Sequence, residues 1–151
     1  MSNETKLDPI YLQAIQIAVI KFTYGDVIKL SWLHENFEIE IPEFGSKKDY
    51  EQCTFKFMAC MDMFRETLLK EHLMMLSSVR GVGYRVLNPN EQPDEAMSRL
   101  KSRVKKETTK AMESLSFINE ALLDDESAKK RDSSMGKIAA LSAFSKTRLS
   151  A

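Results

Sequence analysis

The sequence predicts a mainly α-helical chain with one small β-hairpin and a helical extension at its C-terminal end. Apolar residues recur at helical spacing through most of the first half. Residues 78–86 read Ser-Val-Arg-Gly-Val-Gly-Tyr-Arg-Val, two short β-prone runs separated by glycines. Beyond Pro93 the composition turns basic. These observations divide the 151 residues into a domain over 1–92, a basic helical extension over 93–123 and a flexible or partner-ordered tail over 124–151.

Composition limits the function classes. A hydrophobic content of 43% is enough for a core, and no apolar run approaches the length that crosses a bilayer. Met1-Ser2-Asn3-Glu4 lacks the basic and apolar pattern of a signal peptide. With two cysteines and no such signal, the expectation is a soluble protein of a reducing cytoplasm, without a membrane partner. The net charge of zero is unevenly spread: residues 1–97 carry ten Lys and Arg against fifteen Asp and Glu, and residues 98–151 twelve against seven. An acidic first part weakens phosphate attraction, and the basic second part could restore it, attract the first or attract a second subunit.

The first helix is predicted over 9–22, with Asp8 as N-cap and Pro9 at the first helical position. Leu12, Ile15, Val19 and Phe22 form its apolar face, widened by Ile17 and Ala18. Tyr24-Gly25-Asp26 makes a turn, and Val27-Ile28 is a short strand or a buried linker. Ser31 is the predicted cap of a second helix ending near Phe37, with Trp32 as a core residue. Pro42 and Gly45 break the next segment into a loop. A long helix is predicted over 47–71, with the stripe Tyr50, Phe57, Met61, Phe64 and Leu68, helped by Cys53 and Met58. In the hairpin, Val79-Arg80 and Tyr84-Arg85-Val86 are the strands, and Gly81 and Gly83 supply the reversal.

Val79-Arg80-Gly81-Val82-Gly83-Tyr84 resembles the wing of winged helix-turn-helix proteins, most closely that of OmpR/PhoB-type effector domains. Phe64-Arg65-Glu66-Thr67-Leu68-Leu69-Lys70 is similar to the end of their recognition helix, and the resemblance covers roughly residues 8–89. The chain also resembles small winged-helix proteins of bacteriophages. The resemblance implies a winged helix with a C-terminal helical extension, binding DNA as a transcription regulator in the cytoplasm of a bacterium or a phage-infected host. The expected receiver domain and N-terminal four-stranded sheet of response regulators have no counterpart. The adjacent reading of Gly81-Val82-Gly83 as a dinucleotide motif fails, because the sixth position is Val86 and a turn follows at 87–90. A plain structural hairpin remains the competing reading.

The predicted DNA contacts follow from position. Arg80 and Arg85 flank a short projecting ribbon and reach backbone or minor groove, while Lys48, Gln52 and Lys56 approach the major groove. Arg99, Lys101, Arg103, Lys105 and Lys106 add positive charge from the extension. The outer face of the long helix also carries Asp62 and Glu66, which repel phosphate, and Phe55 and Met63, which suit a protein partner. The alternative function is therefore an adaptor or inhibitor that uses this scaffold without DNA and captures a factor such as a polymerase through Phe55, Met63 and the tail. In the extension, a helix over 94–123 with Met97, Leu100, Val104, Ala111, Leu115, Ile118 and Leu122 is a solvated packed helix, a basic arm or a homodimer interface. Residues 124–134 read as an exposed linker, and 135–149 as a docking helix or a disordered segment.

Catalysis finds no pattern. His34 and His72 lack an accompanying nucleophile, and Asp124-Asp125-Glu126 lacks calcium-loop spacing. Cys53 and Cys60 are about 10.5 Å apart along one helix, too far to bridge or to share a tetrahedral zinc. The expectation is a non-enzyme with no metal and no cofactor.

Overall fold

A computed structural model describes residues 9–147. The chain is mainly helical with a small antiparallel sheet, as the sequence predicts, in the order α1 (Ile10–Lys21), β1 (Val27–Lys29), α2 (Leu30–Asn36), α3 (Lys47–His72), β2 (Leu76–Val79), β3 (Gly83–Val86), α4 (Gln92–Ser116) and α5 (Asp125–Lys146). It divides into two compact units, the first ending at Gln92 and the second beginning at Pro93.

In the first unit, the helices bury one face each against a common core. Ala14, Ile15 and Ala18 of α1, Leu33 of α2 and Met61, Phe64 and Leu68 of α3 meet Ile28, Phe37, Leu76 and Val86. Edge-on contact of Trp32 with Phe22 (ring centroids 5.1 Å) and of Phe37 with Phe64 (5.4 Å) ties α2 to α1 and α3. Half-buried, Trp32 sits at the margin of this core. Three apolar assignments need correction. Ile17, Tyr50 and Met58 are exposed, because the buried arcs of their helices are narrower than the full run of apolar residues.

Helix starts also shift. Pro9 is the N-cap of α1 rather than its first residue, and Asp8 lies outside the described residues. Lys29 caps α2, so Ser31 falls inside the helix, because β1 continues directly into it. The start of α3 is defined by a capping box. The Asp49 amide donates to the Ser46 hydroxyl (3.3 Å), and the Asp49 carboxylate accepts from the Ser46 amide (2.7 Å). That last bond holds the Asp49 carboxyl below its ordinary range.

Val27-Ile28 belongs to a strand. The sheet order is β1-β3-β2, with Ile28 opposite Tyr84 and Ser78 opposite Tyr84 on the other side. Arg80 is in the turn rather than in β2, since the reversal takes Arg80-Gly81-Val82. Gly81 adopts a φ of +74°, which favours glycine. Gly83 has another reason to be glycine. A Cβ there would lie 2.0 Å from the Ile28 carbonyl oxygen, so β1 and β3 can meet only if the side chain is absent.

The second unit holds two helices and departs most from the sequence reading. α4 ends at Ser116 rather than near 123, and a short 3-10 turn, Glu120–Leu122, precedes α5. Residues 124–134 are no linker. Asp124 caps α5 by accepting from the Ser127 amide (2.7 Å), a bond that lowers the Asp124 carboxyl pKa, and Asp125 and Glu126 complement the positive helix end. Leu122, assigned to the apolar stripe of α4, is exposed beyond that helix.

Candidate nucleic-acid interface

The hairpin is shorter and better anchored than a projecting ribbon. Its turn is closed by the Val82 amide donating to the Val79 carbonyl (3.0 Å), while the Val82 carbonyl accepts from the Leu30 amide (3.0 Å) at the start of α2. Being the central strand, β3 is held on both edges. Arg80 stands exposed at the turn, where a cation can meet phosphate.

Arg85 is used differently from its prediction. Half-buried, its guanidinium donates two bonds to the Glu91 carboxylate (3.0 and 3.1 Å). Glu91 is fixed by the Asn88 amide (3.0 Å) across the 3-10 turn Pro89–Glu91. The guanidinium first, and the amide second, hold the Glu91 carboxyl below the ordinary glutamate range. Arg85 therefore locks β3 to the segment after it.

The lock yields a test. Glu91 contributes stability that is fully present above its unfolded pKa and is lost as the pH falls through its lower folded pKa. Glu91→Gln removes that contribution. Stability curves of the wild type and the variant are expected to differ at neutral pH and to converge in acid, as thermal unfolding across that range would record.

On α3, Lys48, Gln52 and Lys56 form an exposed row at four-residue spacing. The first two extend from the N-terminal half of the helix, while the Lys56 ammonium donates to the Glu38 carbonyl (3.1 Å). Beside them lie Phe55 (69% exposed), Ala59 and Met63. Asp62 and Glu66 share this outer face, and Lys70 engages Glu66. The surface thus combines cations, an amide, acids and apolar groups. Arg65, not singled out in the sequence, stacks over the Tyr84 ring of β3 (5.5 Å) and joins helix to sheet.

A second feature of this unit escapes the sequence. Three α3 side chains donate to carbonyls of the loop before it: Tyr50 to Pro42 (3.0 Å), Cys53 to Glu40 (3.3 Å) and Lys56 to Glu38. The loop so fixed presents Phe44 at 95% exposure, together with Ile41. Only the break at Pro42 and Gly45 is legible in the sequence, since the staples depend on the fold.

The cations of the second unit vary in availability. Arg99 bonds Glu95 one turn earlier (2.9 Å), and the Lys101 ammonium donates to the Thr147 carbonyl. Arg103, Lys105 and Lys106 are exposed. Both cysteines are free and half-buried, and burial pushes the Cys60 thiol up. Among the described residues no group of three His, Cys, Asp or Glu is placed to hold a metal ion, and no helix is long and apolar enough to cross a membrane.

Comparison with family models, with curated proteins and with solved structures finds no match for this chain.

Proposed function

We propose that this chain is a non-enzymatic winged-helix factor that binds DNA and regulates transcription in the cytoplasm of a bacterial or phage-infected cell. Arg80, exposed at the turn of the anchored hairpin, carries the reading. The order α1-β1-α2-α3-β2-β3 with β3 central supports it, as does the Lys48–Gln52–Lys56 row on the longest helix. Arg103, Lys105 and Lys106 supply further charge for phosphates, while Arg85 has a structural role through Glu91.

Binding to random-sequence DNA should weaken steeply with salt, because each neutralised phosphate releases condensed counterions. About five contacts give a logarithmic slope near −4.5. Arg80→Ala is expected to shallow it by about one unit for all sequences alike, with stability changed by no more than about 0.5 kcal/mol. Folded protein that binds no DNA at low salt would reject the reading.

A specific observation favours a second one. Phe55 and Met63, exposed on the outer face of α3 beside Asp62 and Glu66, are apolar groups on an acidic surface. That suits an adaptor or inhibitor binding a protein factor with basic and apolar surface. Under this reading Arg80→Ala is silent and Phe55→Ala or Met63→Ala abolishes partner capture.

A further inference from the structure

The second unit has long helices and almost no interior. α4 and α5 run antiparallel: Lys101 reaches Thr147 at one end, Arg131 bonds Glu120 near the connection (2.9 Å), and Met112 and Ile138 line one cleft between them. Yet among its described residues the sole buried one is Thr108, whose hydroxyl donates to the Val104 carbonyl (2.7 Å), and no hydrophobic residue is buried. Besides Met135 and Ile138, the α5 residues turned inward are Ser127, Ala128, Arg131, Ser134, Ser142 and Ser145, which give little apolar area. Helices in globular proteins derive most of their stability from packing an apolar face, and this pair provides itself with little.

Its apolar groups lie outside instead. Leu100 is 45% exposed, Phe117 87%, Leu122 84%, Leu141 55% and Phe144 41%. Taking roughly 150–250 Å² for a wholly buried aromatic ring and somewhat less for leucine, they expose on the order of 500 Å² per chain. Two chains together reach about 1,000 Å², the threshold of a specific interface.

We infer that this hairpin pairs with the same hairpin of a second copy, forming a four-helix bundle about a two-fold axis. Nucleic acid offers phosphates rather than cover for leucine and phenylalanine. A hairpin of two antiparallel helices, repeated once by a two-fold, closes on itself and lets each stripe meet its own counterpart. Lys105 and Lys106 lie on the side of α4 away from Leu100, so their charge stays outside the contact, while Arg103, three residues on from Leu100, borders it. The dimer extends the interface expected in α4 to α5, and it requires no DNA.

Sedimentation of the full chain without DNA at micromolar concentration tests it. The expected mass is twice the 17.3 kDa of one chain. Leu141→Glu combined with Phe144→Glu should return the mass to one chain, raising the dimer dissociation constant about a hundredfold or more, since unpaired carboxylates would be buried. Leu100→Glu, on the other helix, should do the same. Trp32 fluorescence, the sole tryptophan signal, reports that the first unit stays folded in each variant. Dissociation with loss of helix content is the same positive result, since the helices then lack their cover. A wild-type chain that sediments as a monomer, or a dimer indifferent to both changes, overturns the inference.

Discussion

Gly83→Ala is expected to lower the stability of the first unit by about 3 kcal/mol or more, a large effect for one methyl group. The added Cβ would stand 2.0 Å from the Ile28 carbonyl oxygen and 2.9 Å from the Lys29 Cα. Both are backbone atoms of β1, so no side-chain rotation relieves the overlap. Either β1 separates from β3, breaking the pairing of Lys29 with Gly83, or the central strand shifts and carries Val86 out of the core. Gly81→Ala is the internal control. Nothing lies within 4 Å of its added Cβ, and only its φ of +74° opposes alanine, so about 1–2 kcal/mol is expected. Urea unfolding followed by Trp32 fluorescence separates the two. Equal effects would mean that turn geometry, and not contact with β1, explains both glycines.

That contrast marks what a sequence can tell. The two glycines read alike, as the reversal of a hairpin, and for Gly81 that is the whole reason. For Gly83 the reason is a strand distant in the chain, which local pattern does not reveal. The extent of α3 was legible because its apolar stripe and the break at Pro42 and Gly45 before it are both local, while the Ser46–Asp49 cap was not read. Arg85 shows the opposite case. Its type and place in a basic hairpin point to phosphate, while its actual partner is Glu91, three residues beyond Asn88 in a capping box that could have hinted at the arrangement. Phe44 was illegible, because its presentation depends on bonds from Tyr50, Cys53 and Lys56 to the loop backbone. In the last segment, charge density masked a helix start at Asp124 that the cap pattern alone would have supported.

The division of α3 into an inner and an outer face leads to the other large effect. Phe64→Ala is expected to destabilise the first unit by about 3–5 kcal/mol. The side chain is wholly buried, its ring 5.4 Å from that of Phe37 and 6.4 Å from that of Trp32, so its loss empties the junction of α2 with α3. The neighbours cannot collapse into the space easily: Phe37 is itself fully buried and packs on Phe57 (5.9 Å). Since a small domain has about 5–15 kcal/mol in total, the variant stands near the edge of unfolding. Phe64→Leu retains most of the volume and should lose clearly less. Phe55→Ala, on the opposite face of the same helix, should stay within about 0.5 kcal/mol of wild type. Denaturant midpoints of the three variants decide the matter. If Phe55→Ala proves as damaging as Phe64→Ala, then Phe55 is part of a packed interior. Its exposed place on the candidate binding face, on which both functional readings draw, would then be wrong.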